Sequence, residues 1–540
     1  MTRRWWALGA LVASMLVLGF DTTILNVALP SMAAQLGATT GEQQWMADIY
    51  IVVFAALMLP AGLLGDRFGR RRMLVAGLGI FLAGSVVGSL VHSVDLVITA
   101  RAIMGVGAAL IMPLAMSVLP SLFGAPEDRV KAVGIISAAS ALGLPLGPII
   151  GGWLLEHFWW GSIFVLNIPM VAIGIAACVF LLPETADPSS PRVDPLSTAL
   201  TALGLGALVY GVIEAPERGW GSPLVIGMLV GGAVLLAALV LRERRMARPM
   251  LDLTLLHHRG FLLNTLAATL VMFVLSGLLF LLPGYLQAVR GNDALGTGVR
   301  MLPMMGGLMV TSRLSGPLGR RFGPRAVICA GLVVLAFAAL LGSRTTVDSE
   351  YWFTALWLTI TGAGFGLAVV PAMDGALGAL PADRAGSGSG LLLTVRQTGG
   401  AIGIALLGSL LAAAYTDRLD TSGLPASAAD TAGDSVVGAH VVAAKLGLPD
   451  LAHSADVAYL HGLSLALVVC AVTALVSAAL VAALLPNPKP EPKREPADGA
   501  AGGTAGGDSA REAEAVAEGA EAGADGDGSE VAPAAADARQ

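Results

Sequence analysis

The feature that most constrains this chain is a series of long apolar runs that recurs along most of its 540 residues. A run of about 18 or more apolar residues is long enough to cross the ~30 Å hydrocarbon core of a bilayer as an α-helix. We therefore predict an all-α polytopic membrane protein with 14 transmembrane helices, near residues 6–29, 46–65, 73–92, 96–122, 131–155, 161–182, 195–214, 222–241, 260–287, 297–319, 325–343, 351–373, 390–415 and 458–485.

The composition supports this reading. Hydrophobic residues make up 55% of the chain and charged residues 13%, whereas soluble globular proteins carry about 25% charge. A water-soluble enzyme is therefore excluded. The first apolar run begins after Arg3 and Arg4 and continues to about Leu29, which is too long for the apolar region of a cleaved signal peptide. We interpret it as the first membrane helix.

The positive charges indicate how the predicted helices are oriented. With the N-terminus in the cytoplasm, the cytoplasmic segments hold 21 Lys and Arg residues and the outside loops hold six. Cytoplasmic loops of membrane proteins are enriched in these residues. This asymmetry and the even number of helices predict a multi-pass protein of the cytoplasmic membrane with both termini in the cytoplasm.

One short sequence occurs twice. Residues 62–71 (GLLGDRFGRR) and residues 316–325 (GPLGRRFGPR) share seven identities in ten positions, at an offset of 254. We interpret this as a duplication that gives two six-helix bundles, residues 1–182 and 260–487, with a two-helix insert at residues 183–259. Such repeats are typical of transporters whose binding site lies between the two halves.

Two segments are predicted to lie outside the membrane. The outside loop, residues 416–457, is rich in Ala, Asp and Ser and contains one amphipathic stretch, Val436 to Leu446, that we expect to form a short surface helix. Residues 488–540 combine prolines with Ala, Gly, Asp and Glu and contain no aromatic residue. Such a composition cannot bury enough apolar area to fold, so we predict a disordered acidic cytoplasmic tail.

Ionisable side chains inside membrane helices are rare and are functional candidates by default. Asp21 lies deep in the first predicted helix, near Asn26 and two threonines. Desolvation favours the protonated form of an unpaired carboxyl group, so Asp21 is a candidate proton site; a structural Asp bonded to a neighbouring helix is the alternative. Arg101, in the fourth predicted helix, needs a carboxylate, carbonyl or water partner. Beside Asp21 it would act as a proton relay, and snorkelling to the interface is the alternative.

Four further residues are weaker candidates. Asp48, at the mouth of the second predicted helix, is either part of the proton relay or a charge at interface level. Asp374, near the cytoplasmic end of the twelfth, is either a proton site or solvated. Arg396 and Gln397 lie in a polar segment of the thirteenth, where we expect a conformational role for Arg396.

The loop between the second and third predicted helices has the features of a cytoplasmic gate. Gly65 and Gly69 permit a tight loop, and Asp66 can accept hydrogen bonds from a facing helix N-terminus or an arginine, which would hold the cytoplasmic side shut. Positive-inside topology alone explains the arginines but neither the glycine spacing nor the Asp. The predicted gate comprises Gly62, Gly65, Asp66, Arg67, Gly69, Arg70 and Arg71.

The fifth predicted helix carries a stripe of small residues. Ala139, Gly143, Gly147 and Gly151 are four apart, so another helix can pack closely against them. Pro148 removes a backbone donor and predicts a kink. The full pattern contains Gly134, Gly143, Gly147, Pro148, Gly151 and Gly152.

Taken together, these motifs resemble the major facilitator superfamily, in its fourteen-helix branch of drug:proton antiporters, over about residues 6–487. Residues 62–74 resemble the superfamily's cytoplasmic loop motif, and residues 101–107 resemble its helix-four motif. Residues 134–152 match the antiporter signature of helix five at every Gly and Pro. Residues 18–30 resemble the helix-one Asp motif of the fourteen-helix branch.

The resemblance implies proton-coupled export of hydrophobic or cationic drugs or antibiotics by alternating access, with the proton gradient in place of any cofactor or metal. It implies a proton or cation site at Asp21, a relay at Arg101, a gate at Asp66 and a fifth helix that favours exchange over symport. The thirteenth helix has no carboxylate and carries leucines at residues 391–393, where many relatives have polar residues, which weakens the case for dicationic substrates.

The expected partners are a small hydrophobic or cationic substrate, protons and the lipid bilayer, with no nucleic acid, and we expect a monomer. One alternative is a proton-coupled exporter of a specific metabolite, siderophore or lipid-like product. A second is a membrane sensor that transports nothing. An enzyme is not expected, because the sequence offers no nucleophile–base pair or metal-ligand cluster, and no Gly-Lys pair for a phosphate-binding loop.

Overall fold

The computed structural model describes residues 2–123, 126–186, 193–246, 253–380 and 385–486. These residues form sixteen α-helices, a 3₁₀ helix at Leu253–His257 and a π-helical turn at Tyr285–Val289. The α-helices are α1 (Thr2–Leu36), α2 (Thr40–Phe68), α3 (Arg70–Leu90), α4 (Val94–Leu122), α5 (Pro126–His157), α6 (Ser162–Leu181), α7 (Pro195–Arg218), α8 (Pro223–Arg245), α9 (Arg259–Gly284), α10 (Ala294–Phe322), α11 (Pro324–Gly342), α12 (Tyr351–Gly378), α13 (Ala385–Arg418), α14 (Ala426–Asp434), α15 (Val436–Leu446) and α16 (Pro449–Leu484).

Twelve helices of the described chain are long and apolar enough to cross a membrane by length and composition. The prediction of an all-helical, multi-pass membrane protein is therefore confirmed. Helices α5 and α10 have 32 and 29 residues but are not among the twelve. Several residues of α5 lie outside those described, and α10 carries two arginines, Arg300 and Arg313, within its apolar stretch. The count of 14 spans stays a prediction.

The helices pack in two groups joined by a few contacts. Helices α1 to α6 pack on one another, and α9 to α13 pack together with α16. The most extensive connections between the groups are α2 with α13 and α5 with α10, and α1 also contacts α9 and α10. The hairpin of α7 and α8 lies beside them, and α7 contacts both α2 and α13. The predicted domain limits, 1–182, 183–259 and 260–487, stay predictions.

The segment predicted as the outside loop 416–457 is more helical than the sequence indicated. Helix α13 ends at Arg418, close to its predicted end, whereas α16 begins at Pro449, well before the predicted start at residue 458. The polar residues in the first turns of α16 hide its helical character from a search for apolar runs. The amphipathic stretch at Val436–Leu446 is confirmed as α15, while α14 was not predicted. The predicted tail, residues 488–540, lies outside the described residues.

Two ends of the bundle can be distinguished by their charge. The α2–α3 and α10–α11 junctions and the end of α8 carry arginines, and we call this side the arginine-rich end; its arginines are Arg67, Arg70, Arg71, Arg72, Arg242, Arg244, Arg245, Arg320, Arg321 and Arg325. The α1–α2 junction and α15 lie at the opposite end. The sequence predicts that the arginine-rich end faces the cytoplasm.

Candidate functional site

Asp21 of α1 and Arg101 of α4 form a buried ion pair. The Arg101 Nη1 donates to Asp21 Oδ2 at 2.6 Å, and each side chain is 2% exposed. Since a buried charge without a partner is strongly destabilising, each residue supports the ionised form of the other. The snorkelling alternative for Arg101 is wrong, because its guanidinium does not reach the interface. The structure brings together the two residues that the sequence singled out as proton site and relay.

Three neighbours hold this pair in place. Asn167 Nδ2 of α6 donates to the second oxygen of Asp21 at 3.3 Å. The Arg101 Nε donates to the carbonyl oxygen of Met46 at 3.2 Å, and the guanidinium lies 4.3 Å from the centroid of the Tyr50 ring, a cation–π arrangement. Sequence reasoning missed Asn167, although an Asn in the otherwise apolar α6 was a signal of the same kind as Asp21.

A glycine in the helix-four motif explains how Arg101 reaches these partners. A Cβ atom on Gly105 would lie 2.8 Å from the carbonyl oxygen of Tyr50. Because glycine has no Cβ, α4 can approach the backbone of α2 at this level. The Arg101 side chain, one turn away, is thereby brought between α1 and α2.

A small cavity of about 20 Å³ adjoins the ion pair and is lined by Thr22, Leu25, Asn26, Ala47, Tyr50, Ile51, Arg101 and Ile404. Asn26 Nδ2 donates to the carbonyl oxygen of Thr22 at 2.9 Å, while its Oδ1 has no hydrogen-bond partner in the described part of the chain. Polar walls and this volume suit a single water molecule. Ile404 belongs to α13, so the cavity touches both groups of helices.

Asp48 is the second buried carboxyl group near this site. It is 0% exposed, and neither of its side-chain oxygens has a hydrogen-bond partner among the described residues. Asp48 is therefore enclosed by protein, and its role in the proton relay stays a prediction. The sequence could not show this burial, because Asp48 lies near the start of α2 and is covered by helices that are distant in the chain.

The predicted gate is a network of ion pairs at the arginine-rich end. The Arg70 Nε donates to Asp66 Oδ1 at 2.7 Å, and Arg70 Nη1 donates to the carbonyl oxygen of Ser117 at the end of α4, at 2.9 Å. The backbone N–H of Arg71 donates to Glu184 Oε1 at 3.2 Å, and Arg71 Nε lies 3.5 Å from Glu184 Oε2. Sequence reasoning missed Glu184, which follows α6 in a short connecting segment.

The other gate residues support the network through the backbone. A Cβ atom on Gly65 would overlap the side chain of Leu114 of α4, and one on Gly62 would lie 3.7 Å from Pro113. Gly69 separates α2 from α3 with φ of 109°, a conformation that favours glycine. Arg67 lies over the Phe68 ring, 5.8 Å from its centroid.

Another helix packs closely on the small-residue stripe of α5, as predicted, and that helix is α1. A Cβ atom on Gly143 would lie 2.9 Å from the backbone of Gly19, and one on Gly147 would overlap Thr23. A Cβ atom on Gly151 would likewise overlap the side chain of Ile24. These glycines therefore let α5 approach the helix that carries Asp21.

The rest of the α5 pattern faces α10. A Cβ atom on Gly152 would lie 2.5 Å from the carbonyl oxygen of Ala294, and one on Gly298 would overlap the carbonyl of Pro148. Helix α5 therefore makes close contacts both with α1, which carries Asp21, and with α10 of the second group. Gly134 lies within α5, but its surroundings lie outside the described residues.

The remaining candidates belong to the second group of helices. Asp374 is exposed on α12, which agrees with the solvated interpretation. Arg396 is half-buried on α13, and its Nη1 lies 3.0 Å from the Met373 sulfur. Gln397 is 8% exposed.

A bundle of membrane-length helices in two packed groups, with an ion pair buried beside a cavity that both groups line, defines a multi-pass membrane transporter. The chain belongs to the Major Facilitator Superfamily, whose family profile matches residues 11–404. This assignment confirms the superfamily that the motifs indicated. Membership in the fourteen-helix branch stays a prediction.

Named relatives and a solved structure agree with this assignment. The chain is 35% identical over 403 residues to the multidrug resistance protein Stp of Mycobacterium tuberculosis (strain CDC 1551 / Oshkosh), an alignment that covers 74% of each protein. It is 32% identical over 480 residues to the multidrug efflux pump LfrA of Mycolicibacterium smegmatis, covering 87% of this chain and 94% of LfrA.

The fold is similar to the crystal structure of a bacterial homologue of the human lysosomal transporter Spinster, in an inward-facing and unoccupied conformation. The TM-score is 0.64 at 20% identity, and the superposition covers 89% of this chain and 96% of the other. At this identity the likeness shows the fold alone.

Proposed function

We propose that this protein is a proton-coupled antiporter that exports hydrophobic or cationic drugs across the cytoplasmic membrane by alternating access. The observation that carries the proposal is the buried ion pair of Asp21 and Arg101. The substrate class is supported by the names of two relatives, a multidrug resistance protein and a multidrug efflux pump.

The ion pair provides a physical basis for proton exchange. In this conformation Arg101 and Asn167 both donate to the Asp21 carboxylate, which favours its charged form. If a conformational change withdraws Arg101, the carboxylate remains in an apolar environment, where the protonated form is favoured. Asp21 would then take up a proton on one side of the membrane and lose it on the other. A proton that crosses ~100 mV releases about 2.3 kcal/mol, which can drive uphill export.

Contacts between the two groups of helices support alternating access. Near the opposite end, Gln44 Nε2 of α2 donates to the carbonyl oxygen of Ala405 at 2.8 Å, and Gln287 Nε2 donates to that of Val27 at 2.8 Å. Thr40 Oγ1 also donates to the carbonyl oxygen of Asp434, the last residue of α14, at 2.9 Å. These bonds close the end that is predicted to face outward, and export would require them to break.

The proposal can be tested with energised inside-out vesicles and tritiated tetraphenylphosphonium, a lipophilic cation. Wild-type protein should accumulate the cation, and a protonophore should abolish accumulation. The Asp21→Asn variant should not accumulate it, because its side chain cannot exchange a proton. The Asp374→Asn variant is the matched control, since it removes an exposed carboxylate from α12 and should accumulate the cation like the wild type.

Three results would contradict the proposal. Accumulation by Asp21→Asn at the wild-type level would remove Asp21 from the coupling mechanism. Accumulation that persists in the presence of the protonophore would remove the proton gradient as the driving force. Transport confined to one metabolite would replace drug export with a specific exporter.

A further inference from the structure

We infer that Asp48 is a second proton-binding site of the transport cycle, and that it holds its proton in the conformation described here. It lies where α2 meets both α13 of the second group and α7 of the inserted hairpin. The role in coupling rests on the proposed function, whereas the presence of the proton can be measured independently.

The surroundings of Asp48 fit a neutral acid. Its side chain is 0% exposed, and both oxygens lack a hydrogen-bond donor among the described residues. Asp21, in contrast, receives hydrogen bonds on both oxygens and faces an arginine. A buried carboxylate without donors or a cation is unfavourable, and protonation removes the charge. The two buried acids of this region thus have opposite surroundings, since Asp21 has donors and a cation beside it and Asp48 has neither among the described residues.

Gln44 offers an acceptor that only the neutral acid can use. Its Nε2 is engaged with the carbonyl oxygens of Ile404 and Ala405, at 3.2 and 2.8 Å, which fixes the orientation of the amide. Its Oε1 is buried and has no partner in the described chain. Asp48 follows Gln44 by four residues, so both side chains lie on one face of α2. A protonated Asp48 has a hydroxyl group to donate to such an oxygen, and an ionised one has none.

The helices around Asp48 supply apolar surface. Val52, one turn further along α2, belongs to a buried cluster that also contains Ala55, Leu205, Val209, Ile213, Ala401 and Ala405. Three members come from α7 and two from α13. Ser409 Oγ of α13 donates to the carbonyl oxygen of Val212 of α7 at 2.7 Å, and Gln44 Nε2 lies 3.4 Å from the same hydroxyl. Side chains of α2, α7 and α13 therefore enclose this position together.

The charged groups on the neighbouring helices are engaged elsewhere. On α4, Arg101 pairs with Asp21. On α7, Arg218 pairs with Glu214 at 2.5 Å, and the Tyr210 ring packs on Trp45 with centroids 6.0 Å apart.

The charged groups of α2 and α13 are also engaged elsewhere or exposed. At the start of α2, the carboxylate of Glu42 accepts from the backbone of Thr39 at 2.8 Å. On α13, Arg396 lies beside the Met373 sulfur and Arg418 is exposed at the helix end. The segment between them that faces α2, residues 400–409, contains no titratable residue. Among the described residues, no cation is placed to stabilise an ionised Asp48.

The position of Asp48 would couple release of its proton to the movement of α2 relative to α13. Opening of the opposite end requires α2 to separate from α13, which would admit water to Asp48 and allow its proton to leave. Because α7 contacts both helices, the inserted hairpin forms one wall of the proton site. The cycle would then carry protons on two carboxyl groups, Asp21 and Asp48.

The test uses the full-length purified protein in two measurements. Infrared difference spectra of wild type minus Asp48→Asn should show the band of a protonated carboxyl group at neutral pH, and the band should diminish as pH rises. In proteoliposomes, Asp48→Asn should exchange tetraphenylphosphonium at the wild-type rate. A pH gradient coupled to one proton can drive about tenfold accumulation of the cation per pH unit, and Asp48→Asn should lose this accumulation. Asp48→Glu should restore part of the lost accumulation.

Several outcomes would overturn the inference. An absent infrared band would show that Asp48 holds no proton. Wild-type accumulation by Asp48→Asn would show that the proton is not coupled to transport. Loss of exchange in both Asp48→Asn and Asp48→Glu would assign a structural role. Wild-type protein that transports nothing would instead contradict the proposed function, and the infrared band would still decide whether Asp48 is protonated.

Discussion

The two copies of the repeated sequence have the same backbone course and different surroundings. In the first copy α2 ends at Phe68 and α3 begins at Arg70, and Gly69 between them has φ of 109°. In the second copy α10 ends at Phe322 and α11 begins at Pro324, with Gly323 at φ of 87°. The shared glycines and Phe therefore produce the same helix break twice.

The neighbours of the two copies differ at three matched positions. A Cβ atom on Gly65 would overlap Leu114, and one on Gly69 would lie 2.5 Å from Glu184. At the matched positions, Gly319 and Gly323, a Cβ atom would have nothing within 4 Å among the described residues. Asp66, which pairs with Arg70, is replaced by Arg320. The repeat therefore preserves a turn, while the ion pairs and close packing of a gate occur in the first copy.

The largest expected difference between the copies concerns packing. Gly65→Val would push branched methyl groups into Leu114 and separate α2 from α4, at a cost of about 1–3 kcal/mol. We expect a loss of most folded protein or of transport. Gly319→Val, the matched control, should express and transport like the wild type because its position is open. Size-exclusion profiles and cation accumulation measure both effects. Equal losses in both variants would show that the two copies are equally packed.

The second prediction concerns the gate charge. Asp66→Asn removes the partner of Arg70, whose guanidinium also holds the end of α4 through Ser117. The pair is about a quarter exposed, so the stability loss should be near 1 kcal/mol, while accumulation should fall several-fold because the network joins three helices. Arg320→Gln is the control and should leave accumulation unchanged. A greater loss in Arg320→Gln than in Asp66→Asn would place the gate in the second copy.

The sequence predicted the main members of the site for a clear physical reason. Asp21 and Arg101 are conspicuous because ionisable residues are rare in apolar helices, and their pairing follows once both are buried. The α5 stripe was equally visible, since glycines four apart make one smooth face. Fold class and superfamily followed from the same local signals.

The residues that the sequence missed depend on distant contacts. Asn167 and Glu184 become relevant only because α6 and the segment after it return to α1 and α3. The burial of Asp48 depends on α7 and α13, which lie about 150 and 350 residues further along the chain. Helix α14 has no apolar run of its own. Periodicity within one segment cannot report such contacts.

A third, smaller effect is expected at Glu184, which the second copy lacks. Glu184→Gln keeps the shape of the side chain but removes its attraction to Arg71 and Arg72, at 3.5 and 3.6 Å. Because Arg72 is 72% exposed, solvent screens much of this attraction, and the free energy of unfolding should fall by less than about 1 kcal/mol. The difference in melting temperature between variant and wild type should vanish in ~1 M salt, where the screening length is about 3 Å. A difference that is independent of salt would instead assign Glu184 a packing role beside Gly69.

The smallest expected effect lies in the inserted hairpin, at the same arginine-rich end. Asp194 precedes α7, and its carboxylate accepts two hydrogen bonds from Arg242 of α8, at 2.8 and 3.1 Å. These bonds, with those from Ser197 and the Leu196 N–H, hold the pKa of Asp194 at about 2, below its ordinary value of 3.8. The folded protein therefore binds this proton less readily than the unfolded chain, so the ionised carboxylate stabilises the fold above pH 3.8, and this contribution is lost as pH falls through about 2.

Asp194→Asn tests whether any carboxylate–arginine pair at this end matters for transport. Asparagine keeps the N-cap acceptor of α7, so the change isolates the charge. The melting temperature of the variant should be slightly below that of the wild type at pH 7, and the gap should narrow below pH 3.8, the ordinary value for this group. Accumulation of the cation should not change, because Asp194 and Arg242 belong to one hairpin and do not join it to the helices that move. If Asp194→Asn lost as much accumulation as Asp66→Asn, the special role of the first repeat would be lost, and the whole arginine-rich end would have to act as one gate.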